Sequence, residues 1–317
     1  MKRFKNILLF VGSEDRKGAA LERAVTLAKS NKAKLKIFDV IEELPRGNHV
    51  PITVMSPLEM QKLVINERKN QLEQLIEPMR KDGVYACAKV LVGTPFLEII
   101  REVLRDKHDL VIKTARGKGG VKEILFGSTA MHLMRKCPCP VWVVKPTHRK
   151  KYARIMAAVG PDPSVEVKNT FNKKIMELAT SLARLERSEF HVFHAWKMIF
   201  SETMLLGSGG LSKREVDRWG REVRKMQKDW LNELIEKYAP ETPKDRIHLQ
   251  KGDAGILIPA LVKRKRIELI VMGTVSRIGI AGLFIGNIAE KVLRNVDCSV
   301  LIVKLDGFVT PVRLGEE

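Results

Sequence analysis

The chain repeats itself at a distance of one small domain, and this limits the folds open to it more than any other feature. Ile7-Leu8-Leu9-Phe10-Val11-Gly12 returns as Ile155-Met156-Ala157-Ala158-Val159-Gly160. Phe126-Gly127-Ser128-Thr129-Ala130 returns as Ile285-Gly286-Asn287-Ile288-Ala289, and Val141-Trp142-Val143-Val144-Lys145 as Val300-Leu301-Ile302-Val303-Lys304. Offsets of 148 to 159 residues are too long for a solenoid repeat and match a whole domain. In a chain of 317 residues this leaves two domains, each large enough to bury its own core. The expected division is 1–148 and 152–305, joined near Pro146–Lys151, with 306–317 as a C-terminal tail.

Each half alternates short apolar runs with longer helical patterns, which predicts an α/β fold: two tandem Rossmann-like domains, each a five-stranded parallel sheet with helices on both faces. The strands are expected near Asn6–Val11, Lys34–Val40, Ala86–Val92, Leu110–Lys113 and Val141–Val144, and again near Arg154–Val159, Glu189–Ala195, Arg246–Gln250, Leu269–Gly273 and Val300–Val303. Their apolar residues do not alternate, as in strands covered on both faces. Ser56-Pro57-Leu58-Glu59 and Ser212-Lys213-Arg214-Glu215 are capping boxes that open the second helix of each half, running to about Asp82 and Tyr238. Thr94-Pro95 opens a further helix.

No apolar run approaches the roughly 18 residues that span a bilayer. The basic start is followed by an apolar stretch of only Ile7 to Val11, a buried strand rather than a signal peptide, so the expected compartment is the cytoplasm. Cys87, Cys137, Cys139 and Cys298 fit it as buried structural thiols, since Cys137-Pro138-Cys139 has no second Cys or His pair to complete a zinc site. The net charge is +20, with 29 Lys and Arg against 16 Asp and Glu in residues 1–150. Such an excess attracts anions. It is spread along the chain, and with 6% aromatic residues and no nucleic-acid module it disfavours nucleic-acid binding.

In open α/β sheets, ligands sit beyond the C-terminal strand ends, and a helix start with nearby glycines offers N–H groups to an anion. Strand four of each half leads to such a segment, Ile112 to Ser128 and Val271 to Asn287. Both resemble the phosphate loop of the universal stress protein family, whose ATP-binding members carry Gly, two residues, Gly, nine residues, then Gly-Ser or Gly-Thr. Cys139-Pro140-Val141-Trp142-Val143-Val144 resembles that family's last strand. The likeness covers nearly the whole chain twice and is closest to the tandem E-type members of bacteria. It implies an adenine nucleotide alpha hydrolase-like fold, ATP as the cofactor, an internal pseudo-dimer of the two halves through Val141–Val144 and Val300–Val303, and a homodimer.

The chain departs from that pattern at defined positions. Thr114 stands for the first glycine in the first half, while Gly117, Gly127 and Ser128 are present. In the second half Gly273 is kept, Ser276 replaces the second glycine, and Gly286-Asn287 closes the motif. The nucleotide-contacting aspartate expected after strand one is Gly12 and Gly160. Each lost hydrogen bond costs about 1–3 kcal/mol, or about tenfold or more in affinity. The resemblance thus implies cofactor-binding positions at Gly12, Val40, Thr114, Gly117, Lys118, Gly127, Ser128 and Thr129, and at Gly160, Gly273, Thr274, Ser276, Arg277, Gly286 and Asn287. Two readings stay open: weak nucleotide binding, better in the first half where Lys118 adds charge, or loops kept only as tight turns and helix caps.

No nucleophile elbow, metal-ligand set or Walker-type loop is present, so no catalytic residue is assigned. His191 and His194 lie three apart on a strand and point to opposite faces. His132 follows the first glycine loop and could approach it. The expectation is a non-catalytic stress-response protein acting through ligand or partner binding. The alternatives are slow ATP hydrolysis, or an amphipathic anionic, lipid-like ligand in the second half, suggested by the apolar segment Met198, Ile199, Phe200, Met204, Leu205 and Leu206.

Overall fold

The computed structural model describes residues 4–12, 18–42, 56–117, 124–147, 149, 151–160, 166–198, 200, 202–207, 209–274 and 286–314. The described chain forms two compact units, one holding 1–150 with the tail from 307, the other holding 151–274 and 286–306. Each is an α/β unit built on parallel strands.

The first unit runs β1 (Asn6–Phe10), α1 (Ala19–Asn31), β2 (Lys34–Ile41), α2 (Pro57–Lys81), β3 (Ala86–Val92), α3 (Pro95–Asp106), β4 (Leu110–Thr114), β5 (Arg116–Gly117), β6 (Ile124–Leu125), α4 (Gly127–Lys136) and β7 (Val141–Val144). Its sheet has the order β7-β4-β1-β2-β3, with every pair parallel. Leu110, Val111, Ile112, Val141, Val143 and Val144 have no exposed surface, because helices cover both faces. The order reverses at β1, which lies between β4 and β2; a crevice opens at such a switch point.

The second unit runs β8 (Arg154–Val159), α5 (Glu166–Glu186), β9 (Glu189–Trp196), α6 (Glu202–Leu206), α7 (Lys213–Tyr238), a 3₁₀ turn (Lys244–Arg246), β10 (Ile247–Lys251), α8 (Ala254–Lys265), β11 (Leu269–Gly273), α9 (Asn287–Asn295) and β12 (Ser299–Val303). Its strands follow the order β10-β9-β8-β11-β12. The ten expected strands are present within a residue or two of their expected ends.

The helix ends follow their local chemistry. Ser56 and Ser212 each accept the backbone N–H of the third helical residue, and Glu59 and Glu215 each accept the serine N–H in return. Both capping boxes are complete, which explains where these long helices begin. Thr94 behaves differently: Pro95 sits at the first helical position, but the threonine side chain makes no cap bond. At the other end, α1, α3, α5 and α8 each stop at a left-handed cationic residue: Lys32, Lys107, Arg187 and Arg266, with φ between 49° and 58°. The repeat is thus visible in the backbone as well as in the side chains.

Two features differ from expectation. Strand four does not pass directly into a loop and helix; Arg116 pairs with Leu125 and Gly117 with Ile124 in a two-residue antiparallel ladder, β5–β6. The ladder draws the ends of the glycine segment together just before α4. The apolar segment after β9 contains the short helix α6, and Met198 and Leu205 are buried with Trp196 and Val216, beside Leu211, Trp219, Val223 and Leu249. Phe200, Met204 and Leu206 remain exposed.

Candidate functional site

A cavity of about 790 Å³ opens at the C-terminal ends of β1, β2 and β4 in the first unit. Its size is that of an ordinary small-molecule site. The predicted residues Gly12, Val40, Thr114, Gly127, Ser128 and Thr129 all line it. Gly12 leaves its part of the wall open, since a Cβ there would meet nothing nearer than a Phe10 ring carbon at 3.9 Å. Gly127 begins α4 at φ 71°, a conformation that a side chain disfavours, so this glycine is required by the backbone itself. Gly117 lies in β5, paired with Ile124. Lys118 lies outside the described residues.

The charged lining was not foreseen. Lys113, nearly buried near the end of β4, donates from Nζ to the Thr114 carbonyl at 2.9 Å and sits 5.6 Å from the centre of the Phe10 ring. Phe10 and Lys113 are register partners, so their side chains leave the sheet on the same face. Asp39, near the end of β2 and 2% exposed, accepts the Val40 N–H at 2.9 Å and the Arg68 guanidinium from α2. Glu42 and Glu67 complete an acidic side near Asp39. The available signal was a single charge inside each apolar strand run, Ile37-Phe38-Asp39-Val40 and Val111-Ile112-Lys113. A strand buried on both faces has no cheap place for an ionised group, except at its end over a crevice.

The second unit differs at the equivalent place. Helix α5 has 21 residues against 13 in α1, and both end at a left-handed cation, so the extra length lies at the start of α5. That extension carries Phe171 onto Gly273: a Cβ built on the glycine would fall 2.1 Å from a ring carbon. Here the motif glycine accommodates an aromatic side chain of the protein's own. Beside it, Asn172 accepts the Gly160 N–H at 3.2 Å and donates to the Gly160 carbonyl at 3.0 Å. The Gly286 N–H donates to the carbonyl of Thr274, which is buried. Gly286 has φ −58°, in contrast to Gly127, and Asn287 opens α9. Ser276 and Arg277 lie outside the described residues.

Other candidate groups have structural partners. His132 stacks on Phe96 at 4.2 Å and does not line the cavity. His191 contacts His248, whereas His194 contacts the Val159 carbonyl and Gln227, on the opposite face as the strand period requires. The four cysteines are free, and Cys137 and Cys139 lie with their sulfurs 3.6 Å apart.

Glu102, Asp106 and His108 bring three ligand-type atoms within 4.8 Å of one another. Lys36, however, already donates to both carboxylates, and Lys89 and Arg105 also donate to Glu102. Burial pushes the Glu102 carboxyl upward, but the Lys36 and Lys89 ammonium groups outweigh it and hold the group below its usual range. The cluster is an ion-pair knot whose cations are amino-acid side chains.

Comparison with known proteins agrees with this architecture. The model of the universal stress protein family matches twice, over residues 3–145 and 151–304. Universal stress protein E of Escherichia coli (strain K12) is 29% identical over 100% of this chain and 99% of its own length. Among solved structures, a chain from Pseudomonas aeruginosa UCBPP-PA14 superposes with a TM-score of 0.73 at 23% identity, covering 97% of this chain and 95% of that one. A universal stress protein from Archaeoglobus fulgidus DSM 4304 gives 0.60 at 17% identity, covering 96% and 98%. These last two likenesses concern the fold.

Proposed function

The chain belongs to the universal stress protein family as a tandem member, and we propose that it is a non-catalytic binding protein with one working site, the first-half cavity, and one closed copy. The observation that carries this reading is the contrast between two equivalent strand ends. In the first half Gly12, Thr114 and the start of α4 face a cavity of about 790 Å³. In the second half the Phe171 ring covers Gly273, and Asn172 occupies both backbone groups of Gly160.

The ligand is a small molecule of nucleotide size. The cavity suits the nucleoside part of ATP better than its three phosphates. Among the described lining residues, three carboxylates, Asp39, Glu42 and Glu67, stand against two cations, Lys113 and Arg68, and Gly12 offers no carboxylate at the expected position. A triphosphate would bring several more negative charges against the acidic side formed by these three carboxylates. Binding without turnover is supported by Asp39, whose carboxylate is engaged by Arg68 and the Val40 N–H rather than presented as a base. A lipid-like ligand in the second half is less favoured, because Met198 and Leu205 are already part of a buried cluster there.

No described helix is long and apolar enough to cross a membrane. Pairing of the two halves and homodimerisation belong to the same proposal as family-type behaviour.

Calorimetric titration of the full chain with AMP and ATP, with and without Mg²⁺, tests the reading. It predicts one site per chain. Gly12→Leu fills the open wall and removes binding, whereas Gly160→Leu, where a Cβ has nothing within 4 Å, leaves it unchanged. Two equal sites, loss of binding only in Gly160→Leu, or no binding of either nucleotide would overturn it. Phosphate release from ATP above a no-protein control would overturn the non-catalytic part.

A further inference from the structure

We infer that the second unit carries a separate anion site at the N-terminal end of its sheet, a cleft lined by Arg184, Arg187 and Arg246 that takes a small phosphate monoester with a compact apolar body.

The cleft has a volume of about 310 Å³, at the lower end of small-molecule sites. It lies where the last turn of α5, the start of β9 and the connection from α7 to β10 meet. The first-half cavity opens at the C-terminal strand ends, so the repeat does not relate the two sites. At less than half of that cavity's volume of about 790 Å³, the cleft suits a body of one ring or less rather than a nucleoside. Ala183, Phe190 and Pro243 give it an apolar wall. Among the described lining residues, three guanidiniums stand against one carboxylate, Glu241.

The cations have bonding capacity to spare. Arg184 and Arg187 are exposed, and their side chains make no hydrogen bond or ion pair with a described residue. Arg246 reaches one carboxylate, Glu189, at 3.9 Å, and Arg154 approaches that group more closely, at 3.3 Å. The Thr242 hydroxyl also makes no bond to a described residue. The Thr180 and Ser188 hydroxyls, in contrast, donate to the Met176 and Tyr152 carbonyls and belong to the frame of the cleft. A guanidinium presents its donors as a planar fork that matches phosphate oxygens. A dianionic phosphate offers three oxygens to three such forks, whereas a carboxylate offers two oxygens and a single charge.

The repeat supplies an internal comparison. Arg184 and Lys29 each stand three residues before the left-handed cation that follows their helix, Arg187 and Lys32. Lys29 bonds at 3.1 Å to Asp82, in the short connection 82–85 between α2 and β3. The corresponding connection in the second half, 239–246, is twice as long and brings Thr242, Pro243 and Arg246 to the cleft. A cation at a helix end offsets the helix dipole, and Lys29 does so while bonded to an acid. The second half keeps the helix-end cation without that acid and adds another arginine beside it.

The test is calorimetric titration of the full chain, at constant ionic strength, with phenyl phosphate and with inorganic phosphate. Wild type is expected to bind phenyl phosphate about tenfold tighter than inorganic phosphate, because the ring enters the apolar part of the cleft. The double variant Arg184→Gln, Arg187→Gln is expected to bind phenyl phosphate about tenfold more weakly, the sum of two exposed charge contacts. Arg221→Gln with Lys225→Gln, on an exposed part of α7, removes the same charge and leaves binding unchanged. Gly12→Leu, which fills the first-half wall, leaves it unchanged as well. Ligand-free melting of each variant confirms that it is folded. Equal weakening in the α7 pair would assign binding to general attraction by a chain of net charge +20 and overturn the site. Loss of binding in Gly12→Leu would move it to the first-half cavity and overturn the site too. Equal affinity for the two probes overturns the ester assignment, and no binding of either overturns the whole inference. The nucleotide titrations that decide the first-half reading are independent of all these outcomes.

Discussion

His191 and His248 meet across adjacent strands β9 and β10, with Nδ1 of His191 3.1 Å from Nε2 of His248. The contact holds one hydrogen, so one ring donates and the other accepts. Burial, then the neighbouring His191, then Lys265 and Arg264, lowers His248 from an ordinary 6.5 to about 4, against an opposing pull from Asp245. His191 is lowered by burial and Arg246, with Arg154 and Lys265 acting the same way and Glu189 opposing them. The unfolded chain therefore takes up a proton before the folded one does.

The stability from this pair is fully present above about pH 6.5 and is lost as the pH falls toward about 4. Urea midpoints followed by tryptophan fluorescence should be lower at about pH 5 than at about pH 7.5. His248→Gln should flatten that dependence. An equally steep profile in the variant would assign the acid sensitivity elsewhere.

Gly273→Ala should be severely destabilising, because the Phe171 ring already occupies the Cβ position. The ring is part of a packed core and cannot retreat without disturbing β11, so a loss of about 3 kcal/mol or more is expected. Gly160→Ala, where nothing lies within 4 Å, should cost about 1 kcal/mol or less. Paired denaturation curves check the contrast.

Gly127→Ala should lower stability by about 1 kcal/mol even with no ligand present, because φ at this position is 71°. The measurement is the ligand-free melting curve. A loss of binding in this variant therefore reports on backbone strain as well as on contact with a phosphate.

Glu102→Ala should cost about 1–3 kcal/mol. It leaves the largely buried Lys36 with Asp106 as its remaining carboxylate and removes a partner from Lys89 and Arg105. Double-mutant cycles with Lys36→Met would show strong coupling, and additive effects would contradict the ion-pair description.

The sheet strands were readable in the sequence because they are buried on both faces and appear as unbroken apolar runs, such as Leu110-Val111-Ile112 and Val300-Leu301-Ile302-Val303. The long helices were readable because Ser56-Pro57-Leu58-Glu59 and Ser212-Lys213-Arg214-Glu215 are local signals. The first-half site was half readable: the glycine spacing leads to Gly127 and Ser128, but Asp39 and Lys113 looked like ordinary strand residues. Their role at the cavity depends on which strands end side by side, a property of sheet order. The approach of Phe171 to Gly273 in the second half was not readable at all. Phe171 and Gly273 are far apart in the chain, and their contact depends on how early α5 begins. The β5–β6 ladder was also missed, since two-residue strands carry no periodicity.

The cations at the ends of α1, α3, α5 and α8 have a consequence for salt tolerance. Lys32, Lys107, Arg187 and Arg266 adopt a backbone conformation that glycine enters freely and that an L side chain enters at a penalty. Their charges compensate part of that penalty by lying against the negative ends of the helices. Dissolved ions weaken the electrostatic compensation but leave the steric penalty in place. These four turns, which end helices of 12 to 21 residues, are therefore where rising salinity weakens the offset to backbone strain.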